Sequence, residues 1–184
     1  MKKKFFVQFL ALAMGSVCGP TVANIFVNFF EKKWLAIQKP VYYKRFIDDL
    51  LIIFIDGTFN FDFFHQSFLP LKLSLECGNR VNFLDLELHF EKFIGKNIFK
   101  LFIKKTNTYS YLLTSSNHPK HIFDNIPKSI FIRIKKNCSY NLDYFYHSSL
   151  LMKQLLLCGY DYDYLIKVLH TVDNIDRKTL IPYR

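Results

Sequence analysis

Tyr42-Tyr43-Lys44-Arg45-Phe46-Ile47-Asp48-Asp49-Leu50-Leu51-Ile52-Ile53-Phe54 decides how the rest of the chain is read. Two short runs rich in β-branched and aromatic residues, 41–46 and 50–55, flank Ile47-Asp48-Asp49. Runs of that composition pair as strands, so the spacing predicts a hairpin with acids at its tip. Acids at a hairpin tip have two physical uses. Asp is common in turns because its carboxylate bonds nearby backbone N–H groups, and for an isolated Asp-Asp that is reason enough. Two carboxylates held on a rigid apolar base also suit hard divalent cations, which take oxygen ligands. Two-metal phosphoryl transfer is built from such parts.

Working outward, Gly15-Ser16 and Gly19-Pro20 break the chain after an apolar stretch, 5–14, that reads as a strand or short helix. From Pro20 the apolar positions Val22, Phe26, Phe29, Phe30 and Trp34 recur at helical spacing, and Pro40 closes the region. After Asp56-Gly57 a Phe-rich helix is expected near 60–70, then strands at 71–76, 81–90 and 97–105 separated by Gly78-Asn79 and Gly95-Lys96. Beyond Ser115 the breaks thin out, and helices are expected at 122–137, 142–157 and near 163–172. The expected class is α+β, with a mixed region 1–115 and a helical region 116–184.

The chain has 184 residues, 51% hydrophobic and 22% charged, which places it among folded chains rather than disordered ones. Its net charge of +10 favours a polyanionic partner, either nucleic acid or an anionic membrane surface. The cysteines Cys18, Cys77, Cys138 and Cys158 stand far apart, with neither metal-site nor disulfide-framework spacing, and read as free thiols. Lys2 to Lys4 followed by apolar residues imitates a signal peptide, and residues 5–30 carry no charge. Export or membrane attachment through residues 1–30 is therefore one reading. Gln8, Asn24 and Asn28, with the break between Gly15 and Pro20, would be costly in lipid and argue for an intracellular protein, nuclear or cytoplasmic.

Residues 104–136 hold seven Lys or Arg against one acid, Asp124, with Tyr109, Tyr111, His118 and His121 interleaved. Cations there suit phosphates and aromatics suit bases, although a solvated helix face has the same composition.

Three groups of residues together carry a family resemblance. The hairpin with Phe46, Asp48 and Asp49 is similar to the aromatic-x-Asp-Asp motif of reverse transcriptases. Upstream, Gln8-Phe9-Leu10-Ala11-Leu12-Ala13-Met14-Gly15-Ser16 and Gly19-Pro20-Thr21-Val22-Ala23-Asn24 resemble the polymerase motif that precedes it. Downstream, Asn82-Phe83-Leu84-Asp85, Lys104, Thr106, Thr108, Tyr111-Leu112, Ser115-Ser116 and His118-Pro119 resemble the tail of Penelope-like reverse transcriptases, a telomerase-related retroelement type. Ala11, Gly19 and Lys105 depart from that pattern.

The resemblance implies a partial polymerase palm, the Asp-Asp hairpin packed on helices, followed by a thumb-like region. It implies catalysis and binding of two Mg²⁺ by Asp48 and Asp49, with an RNA template, a DNA primer and a deoxynucleotide as partners. Gln8, Gly15 and Phe46 would line the nucleotide and template pocket, and Lys104, His118, Arg133, Lys135 and Lys136 would grip the duplex. Taken by themselves, Gln8 is a surface amide and Gly15 a turn glycine. The family also has an aspartate on an earlier strand, and the seven residues before Gln8 do not hold it. The expectation is thus a fragment of an RNA-directed DNA polymerase, inactive alone, or else a non-catalytic basic nucleic-acid-binding fragment.

Overall fold

In the computed structural model the described residues are 15–55, 57–91, 95–108 and 110–181. Gln8 and the apolar stretch 5–14 lie outside them. The chain divides into two compact units, Met1–Leu75 and Glu76–Arg184. The boundary read at 115/116 falls within the second unit, where the sheet gives way to helices.

In the first unit, α1 (Gly19–Ile37) carries Pro20 in its first turn, where a missing N–H leaves no intrahelical bond unmade. It ends where the Gln38 N–H bonds the Trp34 carbonyl, shortly before Pro40. The hairpin forms as the composition predicts, from β1 (Tyr42–Phe46) and β2 (Asp49–Ile53), antiparallel with Phe46 opposite Asp49. That register leaves Ile47-Asp48 as the connection, and Ile47 takes a left-handed φ of +55°, a strained conformation for a β-branched residue. The Arg45 guanidinium donates to the Ile47 carbonyl at 3.0 Å and braces the turn. Next comes α2 (Phe61–Ser67), capped by the Asn60 side chain, which accepts from the Phe63 N–H at 2.9 Å. The core is almost wholly aromatic, with Trp34, Phe64 and Phe68 buried. Trp34 meets Phe64 edge-on at 5.1 Å between ring centres and Phe54 at 5.9 Å. The strand expected at 71–76 does not form. Leu71 and Leu73 pack on the aromatic core and Lys72 and Ser74 face solvent, so the alternation is satisfied by packing, with no ladder partner among the described residues.

The second unit holds β3 (Arg80–Phe83), β4 (Leu86–Glu91) and β5 (Lys96–Leu101), an antiparallel meander in that order. The single strand expected at 81–90 is in fact a hairpin that turns at Leu84-Asp85. Leu84 adopts φ +56° there with no glycine to mark it. The helices are α3 (Lys120–Asn137), α4 (Asn141–Leu157), α5 (Tyr162–Asp173) and the short α6 (Arg177–Leu180). Phe131, Ile134, Leu151, Leu155, Leu165 and Val172 form a shared core for α3, α4 and α5. Burying each such side chain contributes about 1.5–3 kcal/mol before entropy is charged against it. Ser139, between α3 and α4, ties the helices to the sheet: its N–H donates to the Phe99 carbonyl at 2.7 Å and its hydroxyl accepts from the Phe99 N–H at 2.9 Å.

The α+β class holds. Among the described residues no helix is long and apolar enough to cross a membrane.

Candidate nucleic-acid interface

Between α4 and α5 lie only Cys158, Gly159, Tyr160 and Asp161. A reversal this short needs one left-handed residue to end α4, which Gly159 supplies at φ +88°. The segment before α3 clamps the turn. The Thr114 N–H donates to the Cys158 carbonyl at 3.0 Å, and the Thr114 hydroxyl donates to the Gly159 carbonyl at 3.1 Å. A Cβ on Gly159 would sit 2.5 Å from Thr114 Oγ1, so the position is closed to side chains by both backbone and space.

α5 is pinned at both ends. Asp161 caps its start, accepting from the Tyr164 N–H at 2.8 Å, and Asp163 adds a favourable charge to the first turn. At its end the Lys135 ammonium donates to the Val172 and Asp173 carbonyls at 2.8 and 2.7 Å, where a cation complements the exposed carbonyl dipoles. The Tyr144 hydroxyl donates to Asp173 Oδ1 at 2.6 Å. Burial, then the Asp173 carboxylate, push the Tyr144 hydroxyl well above the ordinary phenol range, so it stays a donor. Midway, the Tyr164 hydroxyl reaches the Asp124 carbonyl on α3 at 3.0 Å.

With Leu165 and Val172 turned into the core, α5 presents Tyr162, Asp163, Ile166, Lys167 and His170 to solvent. Lys120, Lys128 and Lys136 on α3, Lys153 on α4 and Lys167 on α5 make no ion pair among the described residues. A helix packed on the bundle, with Tyr162, Lys167 and His170 outward and lysines nearby, can enter a groove and meet phosphates.

Residues 110–168 match the animal helix-turn-helix domain. The helix-turn-helix match spans α3, the clamped turn and the first part of α5. Helix-turn-helix modules that bind DNA do so by setting the second helix of the motif in the major groove. No curated protein and no solved structure matches the chain.

This finding corrects the resemblance to Penelope-like reverse transcriptases. The family comparison returns a helix-turn-helix domain over the very residues assigned to a thumb-like tail, and no reverse-transcriptase family. The physical reason is that the shared words are short. Asp-Asp in a hairpin turn, Pro at a helix start and Gly at a break are each demanded by local backbone chemistry, so they recur in unrelated folds. The RNA template, the DNA primer and the deoxynucleotide are expectations of that resemblance and go with it; Asp48 and Asp49 stand as two adjacent exposed carboxylates at the hairpin tip. Among the described residues no group of three metal-ligating side chains occurs.

The residues singled out from the sequence fall in separate places. Asp48 and Asp49 are exposed at the hairpin tip, beside exposed Phe46, and Gly15 is a turn residue at φ +88° with nothing within 4 Å of a Cβ. Gln8 lies outside the described residues. Lys104 follows β5 and is exposed. His118 precedes α3 and shares a hydrogen bond with the Ser116 hydroxyl at 2.6 Å. Arg133 is paired with Asp85, and Lys135 is spent on the end of α5, whereas Lys136 keeps an exposed side chain. Sequence reading passed over Thr114, Gly159 and Asp161, and with them the outward residues of α5. The available signal was Gly159 followed by Asp161 between two helical runs, a stop and a cap two residues apart.

Proposed function

We propose that the second unit binds duplex DNA through its helix-turn-helix, with α5 in the major groove and lysines of α3 and α4 on the phosphates. The observation that carries this reading is the four-residue turn closed on Gly159 by Thr114, inside the stretch that matches the helix-turn-helix family. It accords with the +10 charge and with the non-catalytic nucleic-acid-binding alternative drawn from the sequence. A DNA-binding role would put the protein in the nucleus.

The test is fluorescence anisotropy of the full chain on a labelled duplex of random sequence, at several salt concentrations. Binding should weaken as salt rises, with a slope of about −0.9 per phosphate neutralised. Lys167→Ala should lower affinity and reduce that slope by about one phosphate. No binding at about 50 mM salt, or binding insensitive to salt, would sink the reading.

A further inference from the structure

His147, on α4, is buried, and neither ring nitrogen has a hydrogen-bond partner among the described residues. An imidazole removed from water needs both nitrogens engaged, and native interiors rarely leave such a group unmet. His147 lines a cleft of about 270 Å³ between the segment after β5 and helices α3 and α4, which adjoins a second recess toward Glu87 and Tyr146. The floor is aliphatic, from Leu101, Ile130 and Leu150. At the rim Lys104 has no ion pair among the described residues, while Asp85 is neutralised by Arg133.

These features specify a ligand from the inside out. A branched aliphatic floor takes a flat apolar body. The buried imidazole is held neutral, because burial and then the nearby Lys100 lower its proton affinity, so it offers one donor and one acceptor. A purely hydrocarbon ring would leave it unmet. The ligand's deep end should therefore carry a polar atom, which a ring heteroatom supplies without breaking a flat body, and Lys104 at the rim can take an anion at its outer end. A rigid ring holds the two polar groups at a fixed separation with little entropy to lose on binding. We propose that this cleft binds a small heteroaromatic ring bearing an acidic group, its ring heteroatom on His147 and its anion on Lys104. A free heteroaromatic carboxylate and a mononucleotide share that chemistry. The proposal does not depend on DNA binding by α5.

The full chain, ¹⁵N-labelled, is titrated with nicotinate, benzoate, 5′-AMP and ribose 5-phosphate while the His147 imidazole signals are followed; His147→Leu assigns those signals. Nicotinate or 5′-AMP should move them and bind at least about tenfold tighter than its partner lacking the ring heteroatom or the base. A preference for nicotinate over 5′-AMP identifies the free acid as the source, and the reverse identifies the nucleotide. Lys104→Ala, at an exposed position, should weaken the preferred probe about tenfold with Tm unchanged. His147→Leu should abolish the discrimination without lowering Tm. The proposal is overturned if benzoate matches nicotinate and ribose 5-phosphate matches 5′-AMP, or if no probe moves His147 at millimolar concentration. Duplex binding by His147→Leu is a separate readout, unchanged on this view, so failure here and failure of the DNA reading are told apart.

Discussion

In the first unit Arg45 Nε meets Glu31 Oε1 at 2.6 Å with the carboxylate 7% exposed, whereas in the second Arg133 meets Asp85 with both side chains more than half exposed. Around Glu31 every strong group is engaged. Tyr43 donates its hydroxyl to the same oxygen, and the other arm of Arg45 bonds Asn24 and the Ile47 carbonyl. Burial and the Glu31 carboxylate push the Tyr43 hydroxyl far above the ordinary phenol range. This network joins α1 to the hairpin. The Asp85–Arg133 pair joins the β3–β4 turn to α3 in open solvent, where water and salt screen it. The same two functional groups therefore do different jobs. Buried, they tie α1 to the hairpin; exposed, they adjust a surface.

Four tests bear on that contrast. Glu31→Ala should have the largest effect, about 3 kcal/mol, because it strands the Arg45 guanidinium and the Tyr43 hydroxyl in a site built to neutralise them. Trp34 is the sole tryptophan and belongs to the first unit, so denaturant unfolding followed by its fluorescence reads that unit directly. An unchanged midpoint would show that the network is ornamental.

Gly159→Ala should cost about 2 kcal/mol from the left-handed backbone alone, with the clash against Thr114 added to it. Circular dichroism of the helices should report the loss and Trp34 fluorescence should not. Adding Thr114→Ala should relieve the clash but also remove the hydroxyl's bond to the Gly159 carbonyl, so the double variant should stay below the parent. If the single variant melts like the parent, the turn is not under the constraint described.

His147 gives a pH effect of smaller size. Its proton affinity is lowered in the folded chain by burial and then by Lys100, against the weaker opposing pull of Asp143 and Glu87. The unfolded chain therefore binds more protons below about pH 6.5, so stability should be constant above that value and fall as the pH drops through it. His147→Leu should flatten the curve of midpoint against pH between about 7 and 5. A parent curve that rises on acidification would contradict the sign.

Asp85→Ala should have the smallest effect, below about 1 kcal/mol and fading with salt. A loss comparable to that of Glu31→Ala would mean that exposure does not set the worth of these pairs.

Legibility followed the range of the interactions. The α1 helix, the Asp-Asp hairpin and all three long helices of the second unit could be read from residues within a few positions of one another. Pro20, the paired apolar runs and the helical recurrence of core residues are local signals. The turn at Leu84-Asp85 could not be read, because Leu84 reaches φ +56° without glycine or proline to announce it. The strand expected at 71–76 failed for the converse reason: its alternation found packing but no neighbouring strand among the described residues. The candidate site was hardest. Lys135 and Arg133 read as free cations in a basic stretch, and only the fold shows the one on the end of α5 and the other on Asp85. The family resemblance misled because its words describe turns and caps, which short-range chemistry repeats across unrelated proteins.

The amino-acid sequence by itself determined the α+β class, the order of most elements and the excess of positive charge, since hydrophobic period, capping and net charge are properties of the chain before it folds. Tertiary structure alone decided that the chain packs as two units, that Thr114 reaches 45 residues along the chain to close on Gly159, and that His147 lies buried with neither nitrogen bonded among the described residues. Those facts depend on which distant groups meet and on what water is excluded when they do, and no local pattern encodes either.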